Sequence, residues 1–303
     1  MISLYDAPSA ALCCDAGVDC LLVGDSMGNV ILGYENTIPV TIEAMAHHTA
    51  AVARGVKSST RPDVPVIADM PFGSWHGSQN SLVKNASLLM RAGAQAVKVE
   101  GATSHTVEAV LTLTEMGVPV MGHLGFTPQS TLVFESVVQG KTAEAAGRLL
   151  DDALSLQETG CFALVLEVVP IEVAAEISRQ LKIPTIGIGA GPGCDGQVLV
   201  WHDLTGQTPG APFRFVKRYA EAQAVLRQAA AGFVGEVHAS EFPVQEHGWL
   251  MPPGALEAWR AELDERRADE EIWQIQEERA KAEERAEMAV WRGAQEQPQN
   301  EDH

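Results

Sequence analysis

Short apolar runs alternate along the chain with longer stretches in which apolar residues recur at helical spacing. In most of the short runs apolar residues occupy both faces, as in parallel strands that are covered on each side by helices. We predict strands at residues 2–5, 20–23, 64–68, 96–99, 118–121, 163–166, 184–188 and 198–200. We predict the helices between them at residues 42–54, 81–92, 106–116, 143–159 and 172–181. The pattern therefore predicts an α/β fold with a parallel sheet.

The order of these elements favours a (β/α)8 barrel. Eight strands with helical crossovers fall within residues 2–200, which suits a closed barrel, and a doubly wound open sheet is the alternative. The gap between the seventh and eighth runs is too short for a full crossover helix, so this gap is the weakest part of the barrel prediction.

The region after the predicted barrel has a different composition. Residues 213–236 are predicted to form one long helix or a pair of helices, and Pro252-Pro253-Gly254 then interrupts the pattern. Residues 255–293 are rich in Ala, Glu and Arg and are predicted to form one exposed helix. We therefore divide the chain into a barrel domain at 1–250 and a tail at 251–303, with 15 acidic and seven basic residues, that is either a solvated helix or partly disordered.

Composition and charge narrow the classes of function. The chain has 303 residues, with 40 acidic against 21 Lys and Arg residues and a formal net charge of -19, so most of its surface would repel nucleic acid and anionic membranes. No apolar stretch reaches the roughly 18 residues that a transmembrane helix needs, and residues 1–6 do not resemble a signal peptide. We expect a cytoplasmic protein. The five cysteines form no C-x-x-C pair and are expected to be buried thiols.

Carboxylates follow four of the predicted strands. Asp25, Asp69, Glu100 and Glu167 each stand directly after an apolar run, and the carboxyl ends of parallel barrel strands meet on one rim. A single acid in this position is often only a helix cap. Four acids on one rim would repel one another unless a cation lay between them, and hard oxygen ligands favour Mg²⁺ over a structural zinc. The sequence therefore predicts a divalent-cation site at the barrel mouth.

Two further residues belong to the same predicted rim. Lys98 lies two residues before Glu100, on the same face of the strand, where its ammonium can meet a substrate carboxylate or an enolate oxygen, or merely neutralise the acids. His123 ends the fifth strand and faces the same mouth, where it binds substrate or makes a structural hydrogen bond.

Six ordered sequence blocks carry a family resemblance. They are Val23-Gly24-Asp25-Ser26, Ala68-Asp69-Met70-Pro71-Phe72, Val97-Lys98-Val99-Glu100-Gly101, Gly122-His123-Leu124-Gly125-Phe126-Thr127-Pro128-Gln129-Ser130, Leu166-Glu167-Val168-Val169-Pro170 and Ile186-Gly187-Ile188-Gly189-Ala190-Gly191. Over residues 2–250 the chain resembles the ketopantoate hydroxymethyltransferase family (3-methyl-2-oxobutanoate hydroxymethyltransferase). The acidic tail has no counterpart in that resemblance.

The resemblance implies a fold, a reaction and an assembly. It implies a (β/α)8 TIM barrel of the phosphoenolpyruvate/pyruvate type, dependence on Mg²⁺ and a homodecamer. The implied reaction transfers a one-carbon unit from 5,10-methylenetetrahydrofolate to 3-methyl-2-oxobutanoate, through a Mg²⁺-stabilised enolate, and yields 2-dehydropantoate for pantothenate and coenzyme A biosynthesis.

The resemblance also implies roles for individual residues. By position, Asp25, Asp69 and Glu100 match the metal-binding acids, and Glu167 matches the catalytic base. The keto-acid contacts match Asp25, Ser26, Asp69 and Lys98, to which the rim position adds His123.

Two alternatives to this function remain at the level of sequence. One is a Mg²⁺-dependent lyase or mutase that acts on an oxo acid in a related barrel. The other is a barrel that serves as a non-catalytic interaction module, with the long tail as its working part.

Overall fold

Nine parallel strands form one sheet in the computed structural model, which describes residues 1–134 and 136–295. The strands are β1 (Ile2–Ser3), β2 (Leu21–Val23), β3 (Val66–Asp69), β4 (Ala96–Glu100), β5 (Val120–Gly125), β6 (Ala163–Glu167), β7 (Thr185–Ile188), β8 (Gly196–Gln197) and β9 (Leu199–Val200). Their order in the sheet is β8-β7-β6-β5-β4-β3-β2-β1-β9, and every pairing is parallel.

The last two strands close the barrel. β8 pairs with β7 and β9 pairs with β1, and only Val198 separates the two short strands. One extended segment therefore joins the seventh strand to the first: the strand predicted at 198–200 contains β9, and β8 comes directly before it. The predicted gap before it is a loop, residues 189–195, which contains no helix. The (β/α)8 barrel prediction is confirmed.

Helices follow most of the strands, and five of the described helices begin at side-chain caps. They are α1 (Ala7–Asp15), α2 (Met27–Val30), α3 (Ile42–Ser58), α4 (Gln79–Ala92), α5 (Ser104–Glu115), α6 (Ala143–Glu158), α7 (Ile171–Gln180), α8 (Trp201–Leu204), α9 (Ala222–His238) and α10 (Ala255–Gln295). The side chains of Asp6, Thr41, Ser78, Thr103 and Thr142 accept hydrogen bonds from the first turns of α1, α3, α4, α5 and α6. The five predicted helices correspond to α3 through α7.

Alternation along the strands separates two apolar clusters. Residues of one parity, such as Leu21, Val23 and Val97, pack between the strands and the surrounding helices. Residues of the other parity form a smaller cluster, composed of Leu22, Ile67, Ala96, Met121, Ala163 and Val165. Since successive side chains of a strand point to opposite faces, this second set fills the interior of the barrel. The charged residues at the strand ends continue the second set.

The helix predicted at 213–236 is shorter than expected. α9 begins at Ala222, and the residues before it form an irregular segment. The amide of Tyr219 donates to the carbonyl of Leu204 at 2.7 Å, and the amide of Ala222 donates to the carbonyl of Thr205 at 2.9 Å. Because these amides pair with the end of α8, they cannot form the hydrogen bonds of a continuous helix.

The chain divides into two compact units, Met1–Ala229 and Ala230–His303, each described by itself. The second unit contains α10, which confirms the long helix predicted at 255–293, and residues 296–303 of the predicted tail lie outside the described residues. Its Phe242 ring lies 5.6 Å from Phe233 and 4.9 Å from His247, between ring centroids. The boundary at residue 250 stays a prediction.

In the described part of the chain no helix is long and apolar enough to cross a membrane.

Candidate active site

Strand register brings the predicted rim residues together. Asp69 is the Cα partner of Lys98, and Glu100 is the Cα partner of His123. Glu167 ends β6 opposite Gly125 of β5. Asp25 and Ser26 follow β2 by two and three residues. All seven predicted residues, Asp25, Ser26, Asp69, Lys98, Glu100, His123 and Glu167, line one cavity of about 410 Å³.

The acids of β2 and β3 are tied through the backbone. The amide of Asp25 donates to Asp69 Oδ2 at 3.0 Å, and both side chains are about 3% exposed. Burial and next the charge of Asp69 raise the pKa of Asp25 well above its usual range. Burial also raises the pKa of Asp69, against the opposing effect of Lys98. Two buried carboxyls, one of which raises the pKa of the other, do not both ionise readily without added positive charge.

Lys98 supplies positive charge at the centre of the cluster. Its Nζ lies 3.1 Å from Asp69 Oδ1 and 4.0 Å from Glu100 Oε1. Burial opposes the charged form, but the surrounding carboxylates, Asp69 foremost, outweigh it and raise the pKa of Lys98. The surrounding carboxylates therefore favour the charged form of the buried Lys98 ammonium.

His123 links Lys98 and Glu100 to Glu167. Its Nδ1 lies 3.1 Å from Lys98 Nζ and 3.3 Å from Glu100 Oε1, while its Nε2 lies 3.3 Å from Glu167 Oε2. Burial and the neighbouring ammonium lower the pKa of His123, yet its contacts with the two glutamates outweigh both and raise the pKa to about 9. For Glu100, burial pushes the pKa upward, but His123 and then Lys98 bring it below its usual value.

Glu167 is the most accessible acid of the set, with 18% of its side chain exposed. Gly125 lets its strand approach closely: φ is +94° there, and a Cβ would lie 2.2 Å from the carbonyl oxygen of Glu167. Val168, the next residue, has φ of +50°, a conformation that is strained for a β-branched side chain. The backbone at Glu167 is thus constrained by Gly125 of the neighbouring strand and by the next residue, Val168.

Gln129 is a site residue that the sequence analysis did not single out. It lies in a 3₁₀ turn, Pro128–Val133, after β5 and is 5% exposed. Its Nε2 donates to Asp25 Oδ2 at 2.8 Å and to the carbonyl of Met70 at 3.0 Å, and its amide donates to Glu100 Oε2 at 3.0 Å. A turn after a strand has no periodic pattern of apolar residues. The one sequence feature at this position was the family-resemblance block that includes Pro128-Gln129-Ser130.

Ser26 contacts a hydroxyl network at the base of the cavity. Its Oγ lies 2.8 Å from the hydroxyl of Tyr5, which in turn accepts from Ser3 Oγ at 3.4 Å. Burial raises the pKa of Tyr5, so that the phenol stays neutral. Ser26 is therefore held in place, at the edge of the acidic cluster.

One wall of the cavity is aromatic. Phe126, Phe213 and Phe215 all line it. The Phe213 and Phe215 rings are stacked, with centroids 5.7 Å apart and 5° between the ring planes, and Phe213 is 69% exposed. The irregular segment that replaced the predicted helix thus supplies an open apolar surface beside the charged cluster.

The donor set fits a hard cation in its chemistry. Asp69 Oδ1 and Glu100 Oε1 are buried oxygens that accept no well-formed hydrogen bond from any described residue. Within the same described residues, no three His, Cys, Asp or Glu side chains are spaced as a ready metal shell. The ammonium of Lys98 stands among these acids. The oxygens are of the type that Mg²⁺ prefers, and small shifts of the side chains would be needed to gather them.

The fold and the cavity define a class: a TIM-barrel enzyme with carboxylates, a lysine and a histidine gathered in one cavity at the carboxyl ends of the strands. A known structure has the same fold, phosphonopyruvate hydrolase in complex with oxalate and Mg²⁺, with a TM-score of 0.53 and 13% identity over 88% of this chain and 91% of that one.

Sequence comparison identifies the family. The profile described as Ketopantoate hydroxymethyltransferase matches residues 1–245, so the chain belongs to the ketopantoate hydroxymethyltransferase family. The 3-methyl-2-oxobutanoate hydroxymethyltransferase of Carboxydothermus hydrogenoformans is 48% identical over 259 residues, which cover 85% of this chain and 92% of that protein. The enzyme of the same name from Thermotoga maritima is 50% identical over 250 residues, 82% of this chain and 90% of that protein. The predicted resemblance is confirmed.

Proposed function

We propose that this protein is a 3-methyl-2-oxobutanoate hydroxymethyltransferase that uses Mg²⁺ and 5,10-methylenetetrahydrofolate. The overall reaction takes the keto acid, the methylene donor and water to 2-dehydropantoate and tetrahydrofolate. The observation that carries the proposal is the convergence of Asp25, Asp69, Lys98, Glu100 and Glu167 in one cavity, in a chain of this family. Neither alternative has comparable support, because the curated relatives carry the transferase name over most of their length.

Asp25, Asp69 and Glu100 are the residues that would hold the cation. Each is buried and each contributes oxygen donors. When bound, Mg²⁺ would supply Lewis acidity toward the carboxylate and keto oxygens of the substrate and so make its C3 hydrogen more acidic. Added positive charge would also favour the ionised forms of Asp25 and Asp69, whose pKa values burial raises.

Lys98 and Ser26 would orient the keto acid. The Lys98 ammonium is buried beside the acids and is the strongest hydrogen-bond donor in the cluster, so it suits a substrate oxygen that gains negative charge. Ser26 Oγ, fixed by Tyr5, can donate to the substrate carboxylate. Both contacts stabilise charge at fixed positions and therefore need little rearrangement during the reaction.

Glu167 would remove the C3 proton. It is the acid nearest to solvent, and it ends a different strand from the predicted metal-binding residues. His123 Nε2 lies 3.3 Å from Glu167 Oε2, within ion-pair distance of the carboxylate but without a well-formed hydrogen bond to it. The C3 carbon, once deprotonated, forms the new bond to the one-carbon unit. Both C–N bonds of the methylene donor break, water supplies the hydroxyl group, and the second proton of water and the proton from C3 pass to the two nitrogens of tetrahydrofolate.

The one-carbon donor would enter past the aromatic wall. Tetrahydrofolate carries flat pterin and aminobenzoyl rings, and the stacked Phe213 and Phe215 offer a flat apolar surface that opens to solvent. A homodecameric assembly and a cytoplasmic location complete this proposal and are supported by the family alone.

A direct assay tests the proposal. Purified protein supplied with Mg²⁺, 3-methyl-2-oxobutanoate and 5,10-methylenetetrahydrofolate should form 2-dehydropantoate, detected by mass spectrometry. Omission of the folate should stop product formation, while C3 hydrogen exchange with D₂O continues. Release of a small oxo acid without folate would support the lyase or mutase alternative instead.

Asp69→Ala should weaken Mg²⁺ binding, and wild-type affinity in calorimetry would remove Asp69 from the ligand set.

A further inference from the structure

We propose that Gln129 is a positioning residue that fixes Asp25 and Glu100 so that each presents one chosen oxygen to the divalent cation, an inference that rests on the proposed function. Gln129 is not itself a ligand in this scheme. It acts through the two carboxylates, which come from two different strands, and thereby sets the shape of the site before the cation binds.

The three predicted metal-binding acids share one feature: in each, one oxygen is already occupied by a hydrogen-bond donor of the protein. Gln129 Nε2 donates to Asp25 Oδ2, the amide of Asp25 donates to Asp69 Oδ2, and the amide of Gln129 donates to Glu100 Oε2. The remaining oxygens are different. Asp69 Oδ1 and Glu100 Oε1 accept no well-formed hydrogen bond from the described residues and meet only the ion-pair contacts of Lys98 and His123, at 3.1 Å and 3.3 Å. No described donor bonds to Asp25 Oδ1.

Gln129 makes two of these three hydrogen bonds. Its side chain reaches the acid that follows β2, and its backbone reaches the acid that ends β4. A single residue therefore fixes the separation between Asp25 and Glu100. The 3₁₀ turn that carries it follows β5, so the constraint spans three parts of the barrel rim.

The orientation of the Gln129 amide follows from its partners. Asp25 Oδ2 and the carbonyl of Met70 are both acceptors, so the NH₂ group must face them. The opposite end, Gln129 Oε1, is buried and accepts no hydrogen bond from the described residues. A buried acceptor left in this way costs stability. Gln129 thus leaves its Oε1 without a hydrogen bond. It keeps the two bonds that orient the acids, from Nε2 to Asp25 and from its backbone amide to Glu100.

Removal of the side-chain amide of Gln129 should free Asp25 from its hydrogen bond, while the charges of the site stay the same. Gln129→Met keeps the length of the side chain and removes the donor, while Gln129→Asn keeps the amide but is one methylene shorter. Because residues that orient metal ligands typically contribute about 10–100-fold to affinity, we expect a loss of that size for Mg²⁺ in both variants. Gln180→Met is the control, since Gln180 donates to a carboxylate, Glu176, on the exposed face of α7.

The experiment is calorimetric titration of the full-length protein with Mg²⁺ alone, together with the unfolding midpoint in EDTA. Weaker binding with a nearly unchanged midpoint, and turnover that recovers to within a few-fold at saturating Mg²⁺, would support the proposal. Wild-type Mg²⁺ affinity in both Gln129 variants would overturn it, as would affinity losses that merely follow loss of folded protein in both. If the wild-type protein itself bound no Mg²⁺, the proposed function would fail first, and the two failures are thus distinguishable.

Discussion

At the scale of single residues, Lys98 decides how the buried acids coexist. Asp25, Asp69 and Glu100 are each no more than about 5% exposed, and the Lys98 ammonium together with a protonated His123 gives two positive charges against these three carboxylates and Glu167. The pKa of Glu100 is lowered while those of the two aspartates are raised, so Glu100 is the acid that stays ionised most easily. The cluster therefore favours a further cation or a shared proton, and this preference is the physical basis of the proposed divalent-ion site.

Glu167 gives the sharpest test at a single residue. Glu167→Gln keeps the size of the side chain but cannot accept the C3 proton, so exchange of that hydrogen with D₂O should fall at least about 10²-fold. Mg²⁺ affinity should stay within about two-fold, because Glu167 lies outside the predicted ligand set. Proton NMR of the keto acid measures the exchange. Glu172→Gln, on an exposed position of α7, is the matched control, and wild-type exchange in the Glu167 variant would show that another group is the base.

His123 predicts a pH dependence of stability. Its pKa is about 9 in the folded protein against an ordinary 6.5, so its contribution is fully present below about pH 6.5 and is lost as the pH rises through 9. A shift of this size corresponds to roughly 3 kcal/mol of unfolding free energy. Urea unfolding in EDTA between pH 6.5 and 9.5 should show a steeper decline for wild type than for His123→Gln. Parallel declines in the two proteins would mean that His123 is not protonated in the fold.

At the scale of elements, strand alternation explains which site residues sequence could find. Lys98 and Glu100 share the inward parity of Ala96, and their two-residue spacing at the end of an apolar run is visible in the sequence. Gln129 and Phe213 lie in irregular segments, whose conformation depends on hydrogen bonds to distant strands and helices. No sequence periodicity predicts these distant hydrogen-bond partners. The acids at the strand ends could therefore be predicted from the sequence, whereas the turn that carries Gln129 and the aromatic wall that contains Phe213 could not.

The close approach of β5 to β6 gives a prediction at this scale. Gly125→Ala would place a Cβ 2.2 Å from the Glu167 carbonyl in a left-handed conformation, so it should destabilise the protein by at least about 2 kcal/mol and reduce turnover. Gly147→Ala is the contrast, because Gly147 lies on the exposed face of α6 with open space around its Cα; it should stabilise by about 0.5–1 kcal/mol. Denaturant unfolding measures both. Similar effects at the two positions would contradict the close contact.

At the scale of the whole molecule, catalysis should depend on the first part of the chain alone. Every residue that lines the active-site cavity lies between Ser3 and Phe215, and the family match ends at residue 245. A protein of residues 1–250 should therefore retain turnover within about three-fold of the full chain, because the contacts that orient the substrate are all present. Steady-state assays of both proteins under the same Mg²⁺ and folate concentrations measure the ratio. A truncated protein that stayed folded by circular dichroism but lost activity would show that the acidic tail contributes to catalysis, and the division at residue 250 would then be wrong.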